Sequence, residues 1–250
     1  MSKSKKTFLI LGASSDLGIA LVKRLNEEYS DSLFCLHYHS DDSNLKDIEL
    51  KSGNTVKLFK ADFSDESDVK RFISDLKEAG IEPTHVVHLP ASKLVYTRLK
   101  DYDRERLEKN VQIQVYSFIE IMKEFLPAMV KRKDHSKVVV ALSSVVCGQP
   151  QKSMLEYTAV KSMLYGVVRQ LAADNAGKMV NINAISPSMI ETKLLSEIDP
   201  KIVALAADGS SEKRNATVED VVPGICFLLS DDSNYINGAN LNMSNGNVIV

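Results

Sequence analysis

Seven short apolar runs alternate with stretches whose apolar residues recur at helical spacing, and this alternation leaves few folds open to the chain. The runs lie near Lys6–Leu11, Leu33–His37, Thr55–Lys60, His85–Leu89, Lys137–Ser143, Val180–Ile185 and Ala239–Met243. Val138–Val139–Val140–Ala141–Leu142 shows none of the polar alternation of a half-exposed strand, so it reads as a parallel strand covered on both faces. Parallel strands need crossovers, and right-handed crossovers through the intervening helices give an α/β fold of the Rossmann type. The expectation is a doubly wound parallel seven-stranded sheet with helices on both faces. With 250 residues, 44% of them hydrophobic, the chain suits one such domain over residues 1–250, burying roughly 70–75% of its unfolded surface.

The first strand leads into Gly12–Ala13–Ser14–Ser15–Asp16–Leu17–Gly18 and then an amphipathic helix to about Glu28. Strand, tight turn and helix N-terminus make an anion site, because glycine lets the backbone approach and the free amides point at phosphate. The pyrophosphate of a dinucleotide fits such a turn, although similar turns also merely join strands to helices.

Tyr157 and Lys161 stand four apart in the helical stretch Met154–Asn175, so they project from one face, roughly 6 Å apart. A phenol titrates near ~10, and ionising it at neutrality needs about 4 kcal/mol. A cation at about 5 Å and an effective dielectric of ~20 supplies roughly 3 kcal/mol, so a tyrosinate base at working pH is within reach. In the reducing direction the same phenol donates its proton to a carbonyl oxygen that receives hydride. Ser144, thirteen residues before Tyr157, ends the fifth strand, where functional residues of open α/β sheets gather, and is placed to hydrogen-bond a substrate oxygen. Its neighbour Ser143 suits an ordinary strand-end cap.

Together these motifs resemble the short-chain dehydrogenase/reductase family, and the match runs from about Lys6 to Val250. Gly12 and Gly18 match the first and last glycines of the family turn, Ser144, Tyr157 and Lys161 its catalytic trio, and Asn110 the helix asparagine that completes a tetrad. The resemblance implies that Tyr157 is the acid/base and that Ser144 orients the substrate. It implies too that Lys161 holds the ribose hydroxyls and lowers the tyrosine pKa, and that Asn110 supports a water in a proton relay. Cofactor contacts are implied for Gly12, Ser14, Ser15, Asp16, Leu17 and Gly18 in the turn, and for Asp62 and Phe63 after the third strand. Further contacts are implied for Ala91 after the fourth strand, for Pro187, Ile190 and Thr192 in the loop by the nicotinamide, and for Tyr157 and Lys161 themselves. Several positions depart from the pattern, among them Pro187–Ser188 for the family's Pro-Gly and Ser244–Asn245–Gly246 for its Asp-Gly-Gly. Asp16 replaces a glycine, Leu11 a threonine, and Leu89–Pro90–Ala91–Ser92 stands for Asn-Asn-Ala-Gly; with His88 it resembles sugar-nucleotide epimerases and dehydratases. A carboxylate at Asp16 is either a helix cap or a cost to phosphate binding.

The second strand ends in His37–Tyr38–His39–Ser40, with no acidic side chain to bind a ribose 2′-hydroxyl. His37, His39 and Ser40 are therefore cofactor candidates, and NADP(H) is favoured over NAD(H). Cys35, Cys147 and Cys226 lack paired spacing and the histidines lack metal spacing, so neither a disulfide framework nor a metal is expected. Cys147, three residues after Ser144, is a candidate for lining the substrate site, with small apolar filler the more usual role. A net charge of −2 and the absence of any apolar run of ~18 residues argue against nucleic acid and membrane partners. Met1–Ser2–Lys3–Ser4–Lys5–Lys6 is basic without a signal-peptide core, which points to a cytoplasmic location.

The expected activity is an NADP(H)-preferring reduction of a ketone, including a 3-oxoacyl thioester, to an alcohol. The alternatives are a nucleotide-sugar modifying enzyme and a non-catalytic dinucleotide-binding or scaffold protein. Residues 190–216 are the candidate substrate-covering segment. Lys131, Arg132, Lys133 and Lys178 resemble the positive surface with which carrier-protein ketoreductases meet an acidic partner. Family likeness implies a homo-oligomer, tetramer or dimer, with Asp101–Lys133 and Met154–Asn175 at an interface. Asn110 sits mid-course in the first of these, where its poor helix propensity marks a local distortion. Asp208–Gly209–Ser210–Ser211 is expected to be a mobile loop tip.

Overall fold

The computed structural model describes residues 5–51, 53–148 and 151–249, so the basic residues 1–4 lie outside it. Seven strands form one sheet: β1 (Thr7–Leu11), β2 (Leu33–Tyr38), β3 (Thr55–Lys60), β4 (His85–His88), β5 (Ser136–Ala141), β6 (Val180–Pro187) and β7 (Asn240–Met243). Their order is β3-β2-β1-β4-β5-β6-β7 and every pairing is parallel, as the alternation predicts. The order reverses between β1 and β4, and in such sheets ligands bind in the crevice beyond the strand ends at that reversal.

Alternate residues of each central strand feed two cores. On one face Leu9, Leu11, Val86, Val138 and Val140 pack under α3 (Glu66–Glu78), α5 (Ser117–Met129) and α6 (Leu155–Asp174). On the other Phe8, Ile10, Phe34, Leu36 and Val139 pack under α1 (Asp16–Glu28) and α8 (Val218–Leu229). Burial on both faces is why these runs are continuously apolar. A short α2 (Ser43–Lys46) and α7 (Pro200–Gly209) lie at the periphery.

The stretch from Asp101 to Lys133 is not one helix. A 3-10 turn (Leu99–Asp101) precedes α4 (Arg104–Val111), and a π-helical segment (Gln112–Tyr116) separates α4 from α5. The distortion thus begins two residues after Asn110, whose side-chain amide donates to the Arg106 carbonyl at 3.0 Å. The tip at Asp208–Ser211 is tied rather than free: the Ser210 hydroxyl meets the carbonyls of Ala207 and Arg214, and that of Ser211 meets Asn245 O at 2.7 Å. Asp65, not Ser64, caps α3, accepting from the Ser67 amide at 2.8 Å.

Gly18 fixes the packing of α1 on the first turn. A Cβ there would lie 2.5 Å from the Ala13 carbonyl oxygen and 2.7 Å from that of Gly12, both backbone atoms that cannot swing aside. Gly18→Ala is therefore expected to cost about 2 kcal/mol and to weaken dinucleotide binding, as denaturant titration and a binding isotherm would show.

Candidate active site

At the sheet reversal the turn after β1 meets the loop after β4. Gly12 holds φ +75°, and an added Cβ would press on Pro90 N at 3.1 Å, so both conformation and close approach require glycine. Ser15 caps α1, its hydroxyl accepting from the Gly18 amide at 3.1 Å and donating to Gly12 O at 2.8 Å. The cap expected of Asp16 is thus filled by Ser15, and the Asp16 carboxylate instead accepts the backbone amide of Lys193 at 2.8 Å.

From this turn a cleft of about 1120 Å³ runs across the strand ends. Ser14, Ser15, Asp16, Leu17, His37, His39, Asp62, Phe63 and Ala91 line one part, and Asn110, Ser144, Tyr157, Lys161, Pro187, Ile190 and Thr192 the other. Gly18 is not on its wall and acts beneath it. Ser40 is exposed and also off the wall. Cys147 lies off the wall as well, its sulfur accepting from Asn240 Nδ2 at 3.3 Å.

His37 takes a different role from the one its position suggests. Its Nδ1 accepts the Gly12 amide at 3.0 Å, so Nε2 carries the proton toward Ala61 O, also at 3.0 Å. The ring stacks on Phe63 at 3.9 Å, and burial brings its pKa down to about 4. A neutral imidazole with both nitrogens spent braces the turn and has no donor left for a ribose or phosphate. His39 is exposed beside the cleft, 3.5 Å from the Asp62 carboxylate, and is the histidine free to meet a ligand.

Tyr157 and Lys161 come together as their spacing requires, the ammonium 5.8 Å from the ring centroid. The electrostatics differ from expectation. Burial raises the phenol above its ordinary pKa of 10.0, outweighing a hydrogen bond from Ser143 that pulls it down. Lys161 does not oppose this shift, because burial lowers its own pKa to about 8 and its ammonium donates to Ala141 O at 3.1 Å. The cleft therefore favours a protonated phenol at neutrality over a tyrosinate. The serine touching it is Ser143, while Ser144 lines the same cleft and is buried.

Other members of the site come together only in the fold, with Leu195, Ile198 and Val203 drawn from the expected covering segment 190–216. Leu94, Val145, Met154 and Ile198 form an apolar cluster against which Tyr157, Tyr96, Leu195 and Val203 pack, and through Leu94, Val145, Met154 and Leu195 it gives the cleft an apolar wall. Glu156, next to Tyr157, forms a two-pronged pair with Arg106 at 2.7 Å on each prong, clamping α6 to α4. His88 is buried under the cleft with Nε2 on Gln114 O of the π segment at 2.8 Å. These contacts join residues about 25 to 100 positions apart, a range in which periodicity carries no information.

The glycine turn, the shaped cleft and the half-buried phenol beside a buried ammonium suit a dinucleotide and a carbonyl substrate side by side, and comparison with known proteins agrees. The chain is 24% identical over 245 residues to the uncharacterized oxidoreductase YmfI of Bacillus subtilis, covering 96% of this chain and 98% of that protein. It is 24% identical over 247 residues to the 3-oxoacyl-[acyl-carrier-protein] reductase FabG of Thermotoga maritima, covering 98% of each. The structure of a 3-ketoacyl-(acyl-carrier-protein) reductase from Brucella melitensis complexed with NADH superposes with a TM-score of 0.82 at 20% identity, covering 98% of each chain. No helix among the described residues is long and apolar enough to cross a membrane. A family model described as enoyl-(acyl carrier protein) reductase matches residues 12–247, and the chain belongs to the short-chain dehydrogenase/reductase family as an oxidoreductase served by a nicotinamide dinucleotide.

Proposed function

We propose that the chain is an NADP(H)-preferring ketone reductase whose substrate end takes a 3-oxoacyl thioester or a ketone of similar apolar character, with Tyr157 as the proton donor. The observation that carries this reading is the Tyr157 phenol, its pKa raised by burial, lining one cleft with the glycine turn and the apolar residues Leu94, Val145 and Met154. When bound, the dinucleotide supplies hydride to the carbonyl carbon. Tyr157 gives its proton to the carbonyl oxygen, so the C=O double bond becomes C–H and O–H. Ser143 and Ser144 stand beside the oxygen's position as donors, and Ser143 also fixes the phenol's rotation. Lys161, with two ammonium protons beyond the one given to Ala141 O, is placed to hold ribose hydroxyls and to help replace the phenol's proton.

Preference for NADP(H) is supported by His39 at the end of β2, exposed on the cleft wall, with Lys109 on the same wall. The basic groups Lys131 and Lys178 flank an apolar groove between α5 and α6, lined by Ile119, Met122, Leu126, Val167 and Leu171, which supports self-association through these helices. Sedimentation as a monomer would remove that part.

The test is to incubate the protein with NADPH or NADH and with acetoacetyl thioesters, simple apolar ketones or sugar nucleotides, following loss of nicotinamide absorbance. Turnover of thioesters or ketones, faster with NADPH, is expected. Turnover of sugar nucleotides alone would overturn the substrate class, and silence with every carbonyl despite dinucleotide binding would leave a binding protein.

A further inference from the structure

The segment after β6 is fastened on both sides of the cleft. On one side the Asp16 carboxylate holds the Lys193 amide at 2.8 Å. On the other the Leu94 amide donates to Leu194 O at 3.2 Å, and the Lys93 ammonium meets Glu197 at 2.7 Å. Only the first of these ties reaches the dinucleotide turn. Asp16 is the first residue of α1, at a helix end where exposed amides and the aligned peptide dipoles attract an anion. A carboxylate there competes with phosphate for the same amides unless another donor takes it up. Here the donor comes from a residue 177 positions away, within a 3-10 turn over Lys193–Leu195.

The side chain of Lys193 continues the strap. It lines the cleft, and it has no ion-pair partner within 4 Å among the described residues. Its charge is felt at Asp41, beyond β2, whose carboxyl lies below its ordinary value chiefly through the Ser43 amide and hydroxyl, with Lys193 adding a smaller pull. The ammonium therefore lies within electrostatic reach of Asp41, beyond β2, on a residue that lines the same cleft as Gly12 and Ser14.

We propose that Asp16 and Lys193 form a latch over the phosphate-binding half of the cleft, in which Asp16 is a positioning residue for the strap and the Lys193 ammonium is a contact for dinucleotide phosphate oxygens. The idea rests on the dinucleotide-reductase reading above. The latch bond lies at the mouth of the cleft and is open to water, so it is weak enough to break and reform as the cofactor comes and goes. Asp16 thereby turns a repulsive charge into a grip on the segment that covers the cofactor.

The latch and simple repulsion give opposite signs in one experiment. NADPH and NADH binding and release are measured by nicotinamide fluorescence for the native protein, Asp16→Gly, Asp16→Asn and Lys193→Ala, with thermal melts confirming that each variant is folded. If the latch operates, Asp16→Gly releases both dinucleotides about three- to tenfold faster and binds them correspondingly more weakly. Asp16→Asn keeps an oxygen for the Lys193 amide without the charge, and binds as tightly as the native protein or more so. Lys193→Ala keeps the backbone amide but loses the cation, so it weakens both dinucleotides and flattens the dependence of affinity on salt. Tighter or unchanged binding by Asp16→Gly would mark Asp16 as a repulsive group and overturn the latch. Unchanged binding by Lys193→Ala would remove the phosphate contact. A native protein that binds neither dinucleotide would defeat the cofactor reading itself, an outcome separate from both.

Discussion

Replacing Tyr157 with phenylalanine is expected to lower kcat for carbonyl reduction by about 10²- to 10⁴-fold while leaving dinucleotide affinity nearly unchanged. The ring is packed against the apolar cluster of Leu94, Met154 and Ile198, and phenylalanine keeps that packing. What is lost is one O–H, the group proposed above to protonate the oxygen as hydride arrives. A steady-state comparison with a fluorescence binding curve checks both halves, and retention of native kcat would show that the proton comes from elsewhere. The pH dependence of the native enzyme follows from the same groups. The phenol's raised pKa keeps it protonated through neutrality, whereas Lys161, brought by burial to about 8, loses its charge as pH rises through that value. Reduction is therefore expected to be flat near neutrality and to decline above about pH 8. Stability moves the other way. A lysine whose folded pKa lies below its ordinary 10.5 leaves the unfolded chain binding more protons between the two values, so the unliganded fold gains stability with rising pH across that window. Lys137, fully buried on Asn181 and Ser233 and also lowered to about 8, contributes with the same sign.

Burial on both sheet faces made the fold legible, because it leaves Phe8–Leu11 of β1 and Val138–Val139–Val140 of β5 as unbroken apolar runs and the glycine turn as punctuation. Tyr157 and Lys161 were legible because a helix fixes the relation of residues four apart. Asn110 was legible as a misfit, though not that a π segment would follow it. Partners chosen across the fold were not. His37 reads as a cofactor ligand by its place at the end of β2, and only the packing of Gly12 above it and Ala61 beside it shows that both nitrogens are spent. Ser143 and Ser144 are indistinguishable as letters, and which hydroxyl meets the phenol depends on how the chain leaves β5, where Ser143 also stands before the 3-10 turn Ser144–Val146. Asp16 reads as a cap or a liability, because the amide that takes up its charge belongs to a loop at the other end of the chain.

Glu156→Ala is expected to destabilise the protein by about 3 kcal/mol and to lower kcat more than it alters dinucleotide binding. Glu156 is buried, its side chain 5% exposed, and takes both prongs of Arg106 together with the Asp103 amide at 3.0 Å. Removing it leaves a guanidinium facing an apolar gap; Arg106 retains 32% exposure, so water recovers part of the loss and the cost falls at the low end for a broken buried pair. The clamp joins α4, which carries Asn110, to the first turn of α6, which carries Tyr157 and Lys161, so slack there is expected to displace the phenol from its proposed position as proton donor. Burial alone would push the Glu156 carboxyl up, yet Arg106 and the Asp103 amide bring it below its ordinary 4.5. Its stabilisation is accordingly complete above that value and disappears as pH falls through the lower folded one. Acid unfolding of Glu156→Ala should therefore show a shallower loss of stability than the native protein's, and Glu156→Gln, which keeps the shape without a titrating group, should show the same shallow slope from a higher starting stability. Equal acid profiles for the native protein and Glu156→Ala would show that the pair contributes nothing to holding the two helices.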